Sequence, residues 1–233
     1  MRSRSGGVFV GCSDWILKQN GTVYGAVLEG TQCEHKRATN FSERDEMCCS
    51  KYVQSDTSLI WNSVKEDLLA GNKVLFSGTS CQVDALYSYL SKYKVQTLTL
   101  YTMDLIFHGV ASPKLFAEYI GFLERTYNGK VTDFQFRDKT ICGWDDHIES
   151  FCINSHKYSS SKWRDLYYLN AINRLSCSNC KYALNRPGDI TFGDAWGIRK
   201  TAPDFYDNRG ASVVIVNTEK GKELLDILLT SCD

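Results

Sequence analysis

The sequence predicts an α/β protein, with a mixed central sheet flanked by helices and one βαβ unit inside it. Three observations predict this. Residues 73–83 read K-V-L-F-S-G-T-S-C-Q-V, a short apolar run followed by a small-residue loop. Gln82–Tyr93 then places Val83, Leu86, Tyr89, Leu90 and Tyr93 on one helical face. A second strand signal follows at Thr97–Ile106, so strand, helix and strand form a unit whose two strands run parallel. In such a sheet the loops leaving both strands share one edge, where open α/β sheets place ligands. Gly78–Cys81 and Phe107-His108-Gly109 are therefore expected to face one crevice.

The other elements follow in order. Val8–Gln19 reads as a helix after Gly6-Gly7, with Ser5 as its N-cap and Gly21 at its end. Thr22–Leu28 alternates as a strand, and Glu34–Thr39 is its expected partner. Ser42 with Asp45 resembles a capping box for a short helix. Ser50–Ser55 is a polar loop or short strand. Thr57 caps a helix from Ser58 to Ala70, with Leu59, Ile60, Val64, Leu68 and Leu69 as its apolar face and Gly71 at the stop. Ser112-Pro113 opens a helix striped by Leu115, Phe116, Tyr119, Ile120, Leu123 and Tyr127, which Gly129 closes. Val131–Arg137 and Glu149–Asn154 read as strands, with Gly143-Trp144 in a loop between them. Lys162–Asn170 is helical. Residues 188–197, G-D-I-T-F-G-D-A-W-G, are a short strand bracketed by glycines and aspartates, where backbone can approach a ligand closely. Ala211–Asn217 is a buried strand, and Thr218 caps a last helix, Glu219–Leu229.

Composition narrows the function. The 233 residues are 43% hydrophobic and 23% charged, which suits a packed core. No repeat, low-complexity segment or linker divides them, so one domain over 1–233 is expected. A formal net charge of zero argues against nucleic acid as partner. No apolar run is long enough to span a membrane, and the start lacks the apolar core of a signal peptide. The expected compartment is the cytoplasm, where cysteines stay reduced.

The chain holds ten cysteines. Cys177-Ser178-Asn179-Cys180 has the spacing of a zinc site, an iron–sulfur site or a dithiol. Cys81 stands at a helix N-terminus, where the helix dipole favours a thiolate, so it is a candidate nucleophile or ligand. Its other reading is a small buried hydrophobe. Cys48 and Cys49 are adjacent and unsuited to ligate one ion together. Cys12, Cys33, Cys142, Cys152 and Cys232 are isolated and read as structural. His108 is either a base and hydrogen-bond donor for the crevice or a structural histidine. Arg137-Asp138-Lys139 is either a solvated hairpin end or an anion contact.

Taken together these segments resemble a family. Ser5-Gly6-Gly7-Val8-Phe9, Ser50-Lys51-Tyr52-Val53-Gln54-Ser55, Ser77-Gly78-Thr79-Ser80-Cys81-Gln82, His108-Gly109-Val110 with Ser112-Pro113, Phe136–Lys139 with Gly143-Trp144, the CxxC, and Gly188–Gly197 come in the order seen in the beta subunit of coenzyme F420 hydrogenase and dehydrogenase. The resemblance runs from Ser5 to about Gly221. It implies an iron–sulfur flavoprotein that holds FAD and a 4Fe-4S cluster and passes electrons to or from a deazaflavin or similar acceptor. A pyrophosphate needs backbone N–H groups and a cation, and the candidates are Ser5, Gly6, Gly7, Lys51, Gln54, Ser77, Gly78 and Thr79. Arg137 or Lys139 is a candidate for an anionic substrate.

The resemblance implies four cluster thiolates: one from the Gly-Thr-x-Cys-Gln loop, one just before His-Gly-Val, and two from the CxxC. Cys81, Cys177 and Cys180 are present. The remaining position is Phe107, which cannot ligate iron. Either three cysteines act with another ligand, His108 or Cys142, or the cluster is absent. Typical members also begin with a ferredoxin-like segment and continue past the last helix. The expected partner is therefore a separate ferredoxin-like donor or a hydrogenase or dehydrogenase subunit. Two other readings remain: a non-catalytic relative that has lost the cluster and serves as a binding or scaffold subunit, for which a polysaccharide gene cluster is one setting, and a structural zinc site at the CxxC.

Overall fold

In the computed structural model residues 5–230 are described. Cys232, read above as structural, lies outside them, as do residues 1–4. In chain order, α1 (Val8–Leu17) precedes a hairpin of β1 (Thr22–Glu29) and β2 (Gln32–Ala38). Then α2 (Phe41–Glu46) and α3 (Trp61–Leu69) lead into β3 (Val74–Gly78), α4 (Ser80–Lys92) and β4 (Leu100–Leu105). The helix α5 (Pro113–Tyr127) leads to β5 (Val131–Gln135), the turn α6 (Lys139–Cys142), β6 (Glu149–Ile153) and β7 (His156–Ser160). Last come α7 (Lys162–Tyr168), the turn α8 (Leu175–Ser178), β8 (Ile190–Asp194), the turn α9 (Ile198–Thr201), β9 (Ser212–Val216) and α10 (Glu219–Thr230).

A six-stranded mixed sheet has the order β2-β1-β3-β4-β8-β9. Its four inner strands are parallel, with Leu75 opposite Tyr101 and Met103 opposite Ile190. Both edge strands are antiparallel. The βαβ unit is β3-α4-β4, as the sequence predicts. Helices cover both faces. On one, α1 and α10 bury Val8, Cys12, Ile16 and Leu224 against Leu75, Met103 and Ile190. On the other, α3 and α4 bury Val64, Leu86 and Leu90 against Tyr24, Phe76 and Leu100. The strands β5-β6-β7 form a second, antiparallel sheet. It shares a core with α5 and α7 through Phe116, Ile120, Phe136, Phe151, Trp163 and Tyr167.

Local chemistry explains where expectation and structure part. Ser5 is not the cap of α1. Gly7 takes that place at φ 84, a left-handed conformation that suits glycine, and no side chain caps the helix. Asn40 rather than Ser42 caps α2, accepting from the Glu43 N–H at 3.0 Å, while the Glu43 carboxylate accepts from the Thr39 N–H at 2.8 Å. The helix α3 starts at Trp61 because residues 57–60 form a turn, which leaves Leu59 79% exposed. Asn128, at φ 51, ends α5 one residue before Gly129. The hairpin β6–β7 has no counterpart in the sequence reading, which stops at β6. Its turn is Asn154-Ser155, both at positive φ, the two-residue connection that matches strand twist. Ala211–Asn217 is predicted as a buried strand, yet β9 is an edge strand with Val213, Ile215 and Val216 exposed. Only Val214 packs on the α1–α10 core.

One polar hub ties α10 to the sheet. The buried Asp189 carboxylate accepts from the Thr102 N–H at 2.8 Å, the Thr102 hydroxyl at 2.9 Å and the Thr218 hydroxyl at 2.6 Å. The Thr218 hydroxyl accepts from the Gly221 N–H at 3.1 Å, so Thr218 caps α10 as expected. Among the described residues no helix is long and apolar enough to cross a membrane.

Candidate functional site

A cleft of about 400 Å³ opens beyond the carboxyl ends of β3, β4 and β8. Its lining includes Ser77, Gly78, Thr79 and Cys81 after β3, and Phe107, His108 and Gly109 after β4. The two loops of the βαβ unit therefore do share one crevice. Ser5, Gly7, Lys51, Gln54 and Cys177 line it too, whereas Gly6 and Cys180 are not among the lining residues.

The start of α1 forms one wall. Gly7, Val8 and Val10 line the cleft, and the first turn carries neither a side-chain cap nor an acidic residue. Its unclaimed backbone N–H groups and the positive end of the helix dipole make an anion site of the kind a pyrophosphate uses. A network holds this segment in place. The Ser5 hydroxyl donates to Asp194 and accepts from the Trp144 indole N–H at 3.0 Å, while the Gly6 N–H donates to the Ser212 hydroxyl at 2.9 Å.

Asp194 also pairs with Arg137 at 2.5 Å. Arg137 donates to the Tyr52 hydroxyl at 3.2 Å, and its side chain is only 2% exposed. It is thus an anion contact, but its anion belongs to the protein. Lys139 instead donates to the Arg209 carbonyl at 2.7 Å. Trp196, half exposed in the cleft, stacks on Trp144 at 5.0 Å and 7°, with the Arg137 guanidinium 5.0 Å from its ring centre.

Lys51 donates to the carbonyls of Glu46, Met47 and Cys48 at 3.3, 2.6 and 2.7 Å. These use all three ammonium protons, so toward an anion it contributes charge rather than a hydrogen bond. Burial pushes its pKa down to about 8. Gln54 accepts from Arg174, which also lines the cleft.

His35, on β2, is a lining residue that the sequence does not flag, because it falls in an ordinary alternating strand. Its Nε2 donates to the Ser77 carbonyl at 3.0 Å, its ring stacks on Phe76, and its buried Nδ1 has no partner among the described residues. Burial pushes its pKa down to about 4, and that of His147, which packs on Tyr52, down to about 3. Both imidazoles are neutral in the fold and take up a proton near 6.5 once unfolded. The unfolded state therefore binds more protons below pH 6.5, and stability falls with pH through the window from 6.5 towards 4. Urea unfolding at pH 7 and pH 4.5 is expected to differ by about 2 kcal/mol for each imidazole.

His108 is exposed, with the rings of Tyr167 and Tyr168 at 6.0 and 5.9 Å. Gly109 lets this loop close on the CxxC: a Cβ there would stand 3.1 Å from the Cys177 Cβ. The segment after the CxxC is tied to the first turn of α4. Arg186 donates to the Ser80 hydroxyl and the Leu105 carbonyl, both at 3.2 Å, and Tyr182 donates to Asp84. Cys81 is exposed, with its sulfur 3.2 Å from the Thr79 hydroxyl.

These residues fit a dinucleotide flavin. The cleft offers an uncapped helix terminus, glycine loops that admit backbone, cationic side chains and an indole face, in a volume typical of ligand sites. They do not fit a four-thiolate cluster. No group of three or more His, Cys, Asp or Glu side chains among the described residues converges as a metal site.

Comparison with known proteins bears on the same regions. Residues 71–231 match the family described as the C terminus of the coenzyme F420 hydrogenase/dehydrogenase beta subunit. No curated protein matches. Among solved structures, a chain of the F420-reducing NiFe hydrogenase complex from Methanosarcina barkeri is similar in fold. The TM-score is 0.64 at 14% identity, over 99% of this chain and 74% of that one.

Proposed function

We propose, from the premise that the chain belongs to the coenzyme F420 hydrogenase/dehydrogenase beta-subunit family, that it is a flavin-binding oxidoreductase subunit of the cytoplasm. The observation that carries this reading is the single cleft. Segments spread from Ser5 to Ser212, including most of the residues that the sequence offers as flavin contacts, line it together. A bound flavin supplies interconversion of one- and two-electron transfer, and the protein supplies position and electrostatics. The N-terminal turn of α1 would hold the pyrophosphate, with Ser5 and Gly7 shaping that turn. Ser77, Gly78 and Thr79 would offer backbone groups to the ring system. His108, exposed in the cleft lining, is the residue proposed to hold or pass a proton for an acceptor. The acceptor class is a deazaflavin or similar heteroaromatic. The partner class is a ferredoxin-like donor or a hydrogenase or dehydrogenase subunit, and the fold likeness to a hydrogenase-complex chain supports it.

FAD titrated into flavin-stripped protein is expected to bind one per chain, read as quenched flavin fluorescence. Gly7→Ala, which forces a side chain into the left-handed cap, is expected to weaken binding about tenfold, roughly 1.4 kcal/mol, with the circular dichroism spectrum preserved. No quenching at about 1 mM FAD, an affinity too weak for a resident cofactor, would remove the reading.

A further inference from the structure

We infer that the cleft of this chain is an iron-free flavin site, closed to a four-thiolate cluster by Phe107. The cofactor half of this statement rests on the flavin reading above. The metal half rests on side-chain chemistry alone. A 4Fe-4S centre is held by thiolates, normally four, directed at one point. Four cysteines reach the cleft lining, the adjacent pair Cys48 and Cys49 and the two expected ligands Cys81 and Cys177, and no three ligating side chains among the described residues converge. Between Cys81 and Cys177, after β4 and before His108, stands Phe107, also a lining residue and partly buried. Its ring has no donor atom.

The substitute ligands fail on position or company. Cys142 closes the turn α6 and is not among the lining residues, and burial raises its thiol pKa. The His108 ring stands beside Tyr167 and Tyr168, and no third ligating side chain joins it among the described residues. Cys180 is a lesser obstacle. It lies three residues from Cys177, on a segment tied to the helix turn that carries Cys81. No movement gives residue 107 a thiolate, so that corner decides the outcome. A flavin held here without a cluster would have no one-electron relay beside it, so its electrons would be exchanged with whatever docks at the cleft mouth.

The test is chemical analysis of the full chain, expressed anaerobically with excess iron and sulfide and then loaded with FAD. Iron, acid-labile sulfide and FAD are counted per chain for the native protein and for Phe107→Cys. The expected native result is FAD near one per chain, with iron and sulfide at the background of a cysteine-free control protein. The Phe107→Cys chain is expected to gain both iron and sulfide. A native chain holding about four irons and four sulfides overturns the inference. An iron-poor Phe107→Cys chain overturns the assignment of Phe107 as the closing residue. A native chain that takes neither FAD nor iron sinks the flavin reading and leaves the iron-free half standing, so the two failures are distinguishable.

Discussion

Asp194→Ala is expected to lower the free energy of unfolding by about 3–5 kcal/mol, because it strands a buried guanidinium. The Arg137 side chain is 2% exposed and reaches Asp194 at 2.5 Å, with its Nε already lacking a partner among the described residues. The same change removes the acceptor of the Ser5 hydroxyl, so the anion site at the start of α1 loses its anchor. Weaker FAD binding should accompany the lost stability. The double variant Asp194→Ala with Arg137→Met separates the two effects. It removes the stranded charge, so stability should largely return, while the Ser5 anchor stays broken and FAD binding stays weak. Urea unfolding and flavin titration on the three proteins check this. A single variant within about 0.5 kcal/mol of native, the range of an ordinary surface change, would show that the pair is no clasp.

Gly221→Ala should be as damaging or worse. A Cβ at 221 would meet the Asp189 carbonyl oxygen at 2.0 Å, and that atom is backbone at the start of β8, unable to step aside. The methyl would lever α10 off the sheet, exposing Leu224 and pulling Thr218 from the Asp189 hub. A loss of about 4 kcal/mol or more, the range of strain in a packed interior, is expected. Thermal melts report it, and failure to express folded chain counts as the same result. By contrast, Gly30→Ala meets nothing within 4 Å, and only its φ of 58 opposes it. It serves as the mild control.

Much of the sheet is legible in the sequence because its signals are local. The strand at residues 74–78, the small-residue loop and the helix face of Val83, Leu86 and Leu90 announce the βαβ unit without help from distant residues. That unit then fixes which sheet edge carries both loops, and so brings Ser77–Cys81 and His108 to one cleft. What stays hidden depends on partners remote in sequence. An apolar run such as Val213–Val216 reads the same at an edge as in the middle of a sheet, because burial is decided by what lies beyond it. His35 looks like any polar residue of an alternating strand until the Ser77 carbonyl and Phe76 are placed beside it. Ser5 is a reasonable helix cap by type, yet Asp194 and Trp144 claim its hydroxyl, and Gly7 assumes the cap. Lys51 stands out for its charge, and nothing local shows that three carbonyls at the end of α2 absorb its protons.

The hydrogen bonds that pin Ser5 and Gly6 span 189 and 206 positions of the chain. On the ribosome Ser5 and Gly6 emerge long before Asp194 and Ser212. The wall they build must therefore wait until both later residues have been synthesised. Loop closure over such a span is slow and entropically uphill until the neighbouring strands have zipped. A nascent chain stalled before Asp194 would thus have β1 to β4 but lack the cleft wall that Ser5 and Gly6 build.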